Sequence, residues 1–438
     1  MTKDYGGVLN DLVAGRWRHP VTGDMATVPF QSIVIQDALD GREVELLASL
    51  GFQDKTLAVV SDRYTYDALA GRIVRQLKAA GFRIDDIVWR SPVCSDQGVT
   101  ELRGLTSSAE ALVAVGSGTI NDSVKYASFL DKKPFATFPT SPMTAHFAGS
   151  ASVSFDGMKQ SIPAAHAEGV FVDLEVLRRC PQRLIWSAYA DVVCRTTAQV
   201  DWLLSHRLLG KPYWDTVYHL LAADEPRLMA NPEDVVAGEI EAIARVTRMN
   251  GLMGLGTAFA GTTHHGSMAE HMLSHYIDMF AGDQHPGTTH GEQVGVATLA
   301  MNRLHHHILD QDAPPVLKAT AVDRDAIEAR FGKAIAEACL QSFMTKDFDQ
   351  KATDSLNQTL AAIWPDLTRE LRPLMLRSDD IESALRGVGA PVSAADLGLS
   401  ADFWRDAIRY SRFTRDRYTM LDLADDAGLL DDFASSCS

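Results

Sequence analysis

The chain has 438 residues, 46% hydrophobic and 22% charged, the balance of a soluble globular protein and too long for one ordinary core, so two domains are expected. A formal charge of −16 with no basic stripe excludes a nucleic-acid partner, and no run reaches the roughly 20 apolar residues of a membrane span. Five widely spaced cysteines without a C-x-x-C pair, and an N-terminus without a signal-peptide core, point to reduced thiols and a cytoplasmic location.

In chain order, TLAVVSD (56–62) reads as a strand, 66–81 as a helix closed by glycine, and DIVWR (86–90) as another strand. ALVAV (111–115) leads through GSGT (116–119) into a helix over 120–130, and PFATFPT (134–140) is a further strand. Such alternation predicts a parallel sheet covered on both faces, a Rossmann-like α/β domain over 1–180. Glycines between a strand and a helix can cradle a phosphate on backbone N–H groups, or can merely turn the chain. The motif is not the G-x-G-x-x-G fingerprint, because position 121 is Asn. Asp62, at a strand end, can accept from an adenosine ribose or simply cap the next helix.

From about 181 the pattern turns helical, over 189–209, 232–251, 267–280, 291–309, 323–343 and 400–428, which predicts an all-α second domain, 181–438. Within it His271 and His275 are four apart and share one helix face, and His290 follows after a Gly/Pro-containing loop. That spacing suits a divalent metal, imidazole being the commonest protein ligand, and equally suits a solvent-facing pair. The run His305, His306, His307 reads as an exposed face, and Arg409, Arg415 and Arg417 read as solvated.

SD (61–62), GSGTINDSVKY (116–126), FPTSP (138–142), DGMK (156–159), VFVDLEVL (170–177), ADVVCRTTAQVDWLLSH (190–206), AEHMLSH (269–275), HGEQVGVATL (290–299) and RDRYTMLDLADDAGLL (415–430) occur in this order over most of the chain. Together they resemble the glycerol-1-phosphate dehydrogenase family, with its AraM-type bacterial members, in the superfamily of iron-containing alcohol dehydrogenases and dehydroquinate synthase. The resemblance implies NAD, or NADP, on the α/β half and one divalent metal on the helical half. It implies Asp191, His271 and His290 as metal ligands, a set suited best to zinc and also to iron or nickel. His275 is implied as a second-layer or proton-handling catalytic residue. On the cofactor side it implies Asp62 for the ribose, Gly116, Ser117, Gly118 and Thr119 with Asn121 and Asp122 for the pyrophosphate, and Thr140 with Ser141 near the nicotinamide.

Departures from the family fall at the substrate end. Its substrate-contacting Asp is Thr144 here, its S-R-P segment becomes Thr263-His264-His265, and the Lys four beyond the ligand Asp is Arg195. Loss of an Arg removes a phosphate fork and loss of the Asp removes a strong acceptor, so Thr144 and His264 mark the altered substrate site. The expected reaction is hydride transfer between NAD(P) and sn-glycerol 1-phosphate/dihydroxyacetone phosphate, or a related polyol/ketone pair, phosphorylated or not. Another secondary alcohol, a dehydroquinate-synthase-like reaction and a non-catalytic nucleotide-binding protein are the rival readings. A homo-oligomer is expected.

Overall fold

The computed structural model describes residues 3–156 and 158–437, so Gly157 of the DGMK segment lies outside it. Contacts divide the chain into two compact units, Met1–Ala188 with Asp215–Thr262, and Tyr189–Trp214 with Thr263–Ser438. Where a single boundary near 180 is expected, the helix Ile240–Ala260 groups with the first unit. The reason is local packing: a Cβ on Gly254 would come 2.5 Å from the Thr144 carbonyl, so only glycine lets this helix approach the 144–148 loop.

The first unit is built on β1 (Ser32–Gln36), β2 (Thr56–Ser61), β3 (Arg83–Val88), β4 (Ala111–Gly116), β5 (Phe135–Pro139), a hairpin of β6 (Ser150–Phe155) and β7 (Met158–Pro163), and β8 (Gly169–Asp173). Six strands pair in parallel in the order β1-β8-β5-β4-β2-β3. β4 is buried along its whole length because both faces of the sheet are covered, as its unbroken apolar run requires. Leu57, Val59, Val113, Val115, Phe138 and Phe171 share one core with Ile73 and Leu77 of the following helix. The chain runs outward from β2 to β3, then returns to β4 on the other side of β2, so the strand order reverses between β2 and β4. Ligands of open α/β sheets bind at the carboxyl ends of strands at such a point.

In the second unit every regular element among the described residues is helical. Several of the long helical runs are interrupted: Cys194 separates Gln182–Val193 from Arg195–Leu209, and Gly332, at φ +76°, separates Arg324–Phe331 from Lys333–Phe343. In the first unit Gly238, at φ +69°, divides the run that begins at 232 in the same way. Helices Ala269–Phe280 and His290–Leu309 pack along one another. His305 is not on an exposed face: it is fully buried and donates from Nε2 to Asp201 at 3.0 Å, while His307 alone of the run is exposed. No helix among the described residues is long and apolar enough to cross a membrane.

Candidate metal and cofactor sites

In the first unit Gly116 ends β4 and Ser117 caps the helix Gly118–Asp131, whose first amides receive no bond from the Ser117 side chain. Gly116 is dictated by its neighbour, since a Cβ there would lie 2.6 Å from the Ile120 Cβ. At Gly118, by contrast, a Cβ would meet nothing within 4 Å, so the start of this helix is open. An open 14-residue helix N-terminus after a parallel strand is chemically suited to a pyrophosphate. Asp62 follows β2, which lies beside β4. Its Oδ1 caps the next turn by accepting from the Thr65 amide at 2.8 Å, while Oδ2 makes no hydrogen bond among the described residues. The capping reading and a ribose contact through the second oxygen are therefore compatible.

Thr140 follows β5 and its amide donates to the Gly116 carbonyl at 3.0 Å; Ser141 and Ser117 share a hydroxyl bond at 2.6 Å. Thr119 is exposed. Asn121 and Asp122 are turned to internal duties. The Asn121 amide donates to the Ala145 carbonyl at 2.9 Å, and Asp122 accepts from Lys125 at 3.0 Å and from the Ser152 amide at 3.0 Å. Lys125, fully buried, also donates to the carbonyls of Ala145 and Ser150. These three side chains fasten the 144–152 loop, where Thr144 donates to Asn250 at 3.3 Å.

In the second unit ligand atoms of Asp191, His271 and His290 lie within 4.8 Å of one another. They come from three helices, 182–193, 269–280 and 290–309. Each imidazole is tied back on its Nδ1 side. His271 Nδ1 donates to Glu270 Oε1 at 2.9 Å, which leaves Nε2 facing Asp191 Oδ1 at 3.5 Å. Glu270 is itself fixed, accepting from the Met268 amide at 2.7 Å and from Thr197 Oγ1 at 3.0 Å. His290 Nδ1 lies 2.9 Å from Ser274 Oγ, whose single hydrogen goes to Gln293 Oε1 at 2.7 Å. Ser274 must therefore accept, so His290 carries its proton on Nδ1 and its lone pair on Nε2. Carboxylate- and hydroxyl-tethered imidazoles of this kind are the supports that orient metal ligands.

Burial opposes charge on both members of the His271–Glu270 pair. The carboxylates of Asp191 and Glu270 nevertheless raise His271, and His271 with the Met268 amide lowers Glu270. Two imidazoles and one carboxylate, partly accessible, are a donor set that fits a catalytic divalent ion. Two other groups have metal-like proximity and lack the chemistry. In Cys194, Glu270 and His271 the thiol is pushed well up by burial and donates to the Gly266 carbonyl, and Glu270 is already engaged by His271 and the Met268 amide. In His19, Asp215 and His219, of the first unit, His19 Nδ1 accepts from the amides of Val21 and Thr22, so its Nε2 bears hydrogen toward Asp215 and offers no lone pair.

His275 Nε2 accepts from Arg415 at 3.0 Å, and its ring lies 6.0 Å from that of His290. His264 sits in the short turn His264–Gly266, its ring 6.0 Å from Trp202. Burial, with Arg417, His265, Arg415 and Lys211 nearby, pushes His264 down to about 2, so it is neutral and does not replace a cation. Arg195 is buried and spans to Gln199 and the Leu374 carbonyl. Nor do the C-terminal arginines line one solvated face: Arg409 pairs with Asp431, whereas Arg415 and Arg417 point into the unit, Arg417 being 8% exposed. The supports Glu270, Ser274 and Gln293 were not read from the sequence, although all three lie within three residues of a predicted ligand.

A family profile described as iron-containing alcohol dehydrogenase matches residues 34–181. A glycerol-1-phosphate dehydrogenase [NAD(P)+] of Halalkalibacterium halodurans is 28% identical over 83% of this chain and 85% of its own. One from Geobacillus stearothermophilus is 25% identical over 90% and 92%. Among solved structures, glycerol dehydrogenase of Schizosaccharomyces pombe superposes with a TM-score of 0.60 over 93% of this chain and 90% of its own, at 16% identity. The NADH-dependent butanol dehydrogenase A of Thermotoga maritima gives 0.59 over 93% and 97%, at 13% identity. The structures share the fold, and the sequence is similar along most of its length to glycerol-1-phosphate dehydrogenases [NAD(P)+], consistent with an NAD(P)-linked oxidoreductase of the iron-containing alcohol dehydrogenase type.

Proposed function

We propose that this enzyme interconverts sn-glycerol 1-phosphate and dihydroxyacetone phosphate, or a closely related polyol/ketone pair, with NAD or NADP. The single observation that carries the reading is the Asp191/His271/His290 triad, with its two imidazoles held in ligating tautomers by Glu270 and Ser274. Relatives named glycerol-1-phosphate dehydrogenase [NAD(P)+] support the substrate class.

These three residues would hold one divalent ion, zinc being the best match to the donor set, with iron or nickel as alternatives. Such an ion supplies Lewis-acid polarisation of the reacting alcohol or carbonyl oxygen. Glu270 and Ser274 keep both imidazoles aimed, each with its proton on Nδ1. His275, beside His290, handles the proton at Nε2, the atom that Arg415 now engages. The Gly118 turn takes the cofactor pyrophosphate, aided by Gly116, Ser117 and Thr119; Asp62 Oδ2 takes the ribose, and Thr140 with Ser141 borders the nicotinamide. Asn121 and Asp122 fasten the 144–152 loop that bears Thr144, a substrate residue in this reading; His264, of the second unit, acts in it as a neutral donor or acceptor. The enzyme works in the cytoplasm as a homo-oligomer.

The test is a panel of ketones and polyols with NADH and NADPH after metal restoration, beside metal analysis of purified protein. Close to one divalent ion per chain is expected, lost in His271→Ala and His290→Ala; unchanged content in both would defeat the ligand assignment. Turnover of other ketones with none of dihydroxyacetone phosphate would leave a dehydrogenase of a different alcohol.

A further inference from the structure

The C-terminal segment brings two guanidinium groups into the second unit without a carboxylate at ion-pair distance from either, among the described residues. Arg417 donates to the Ser267 carbonyl and to Thr263 Oγ1 at 2.6 Å; Arg415 donates to His275 Nε2 at 3.0 Å. Neutral acceptors therefore take three of the ten N–H donors the pair carries. Three other buried cations are treated differently. Lys125 pairs with Asp122, Lys346 with Asp422, and Arg412 with Asp422, Asp425 and Asp426. A buried charge left unpaired is costly, and two of like sign side by side repel, so a purely structural strap between Thr263 and Ser267 gains nothing from a second arginine.

The pair borders the metal-ligand triad. Arg415 touches His275, whose ring is 6.0 Å from His290, and Arg417 holds the turn that presents His264. Glu270, a buried acid that bears on Arg417, is committed to His271, Met268 and Thr197, and Asp416 between the two arginines is exposed. Burial and the neighbouring Arg415 bring Arg417 down to about 9, which leaves it charged at neutral pH.

We propose that Arg415 and Arg417 form an anion subsite that takes the phosphomonoester end of the substrate, one imidazole away from the triad that holds its reacting oxygen. This rests on the dehydrogenase reading above and narrows it to phosphorylated substrates. Planar forks in fixed positions favour a tetrahedral oxyanion with two or more oxygens to share, and the charges match a dianion.

Two measurements on the metal-restored full chain test it. Inorganic phosphate should raise the melting temperature of the wild type in a saturable way, with affinity lowered about 10- to 100-fold in Arg415→Gln and less in Arg415→Lys. In NADH-linked turnover, Arg415→Gln and Arg417→Lys should raise KM for dihydroxyacetone phosphate about tenfold more than KM for dihydroxyacetone. Phosphate affinity equal in wild type and Arg415→Gln, or equal losses on both ketones, overturns the subsite. Phosphate protection that depends on Arg415, with no turnover of either ketone, upholds the subsite and rejects the substrate reading. Arg415→Lys guards against a fold defect, because it retains the charge while losing the planar fork.

Discussion

Ser274→Ala isolates one link of the proposed metal site without touching any of the three residues assigned as ligands. Ser274 Oγ gives its only hydrogen to Gln293 at 2.7 Å and accepts that of His290 Nδ1 at 2.9 Å, while the Gln293 amide is itself oriented by donation to Asp278 at 3.1 Å. Removing the hydroxyl lets His290 rotate and exchange tautomers, so part of its population no longer aims a lone pair at Asp191 and His271. Loss of such a support costs about 10- to 100-fold in metal affinity, or about 1.4–2.7 kcal/mol. Gln293, fully buried, also loses a donor to its Oε1, which adds about 1–3 kcal/mol to the folding cost. Competition of zinc against a chromophoric chelator measures the first effect, and urea unfolding of the metal-free proteins measures the second. If metal affinity stays within about threefold of wild type while metal-free stability falls, the serine is only a packing element and the tautomer argument fails.

Lys125→Met should destabilise the first unit by about 3–5 kcal/mol in urea unfolding, because Asp122 is left as a buried unpaired charge; adding Asp122→Asn should recover part of the loss, and no recovery would place the cost in the loop carbonyls instead. Asp62→Gly should shift the NADPH/NADH ratio of kcat/KM upward about tenfold or more with only a few tenths of a kcal/mol lost from the cap; an unchanged ratio leaves Asp62 as a helix cap alone. Burial holds His146 down to about 3, against 6.5 for the unperturbed side chain. Below pH 6.5 the unfolded chain therefore binds a proton that the folded chain refuses, and this site lowers stability by about 1.4 kcal/mol per pH unit as pH falls toward 3. His146→Gln should flatten the stability profile between pH 6.5 and 4.5 by that slope, and an unchanged slope would show that other groups carry the acid sensitivity.

What the sequence disclosed depended on whether a signal was local. β2, β4 and β5 are read correctly because an apolar run bounded by turn residues has one meaning inside a covered parallel sheet. β1 and β8 pair across 137 residues at Ser32 and Gly169, and nothing in either segment alone announces that partner. Breaks at Cys194, Gly238 and Gly332 are hidden because apolar spacing on the two sides still matches a helix. Among site residues, His271 and His275 are a local pattern, but Asp191 enters only through resemblance, since 80 residues separate it from His271. His305 shows the limit of composition: three adjacent histidines look solvated, yet helical geometry sends the first onto buried Asp201. Arg415 and Arg417 are equally unreadable, because an arginine on a sequence has no visible counter-ion until the neighbours are known.

The charges of the second unit suggest that its two sites assist each other. Asp191 and Glu270 together carry two negative charges at the triad, and one divalent cation neutralises them. Arg415 and Arg417 carry two positive charges beside His275, and a phosphomonoester, at about −1.5 to −2 near neutral pH, neutralises those. Lys211, which bears on His264, and Asp416, which bears on both arginines, are of opposite sign. With the triad empty of cation, its two carboxylates repel an incoming phosphate; at an effective dielectric near 20 a pair of unit charges about 10 Å apart interacts by about 1–2 kcal/mol, less what the arginines screen. Metal should therefore tighten phosphate binding about tenfold or more, and by linkage phosphate should tighten metal binding by the same factor. Calorimetric titration of phosphate into metal-loaded and metal-free protein measures the first factor, and chelator competition with and without phosphate measures the second. Equal phosphate affinity in the two forms would mean that the anion and the triad are electrostatically insulated, and that the arginine pair does not serve a molecule whose other end reaches the metal ligands.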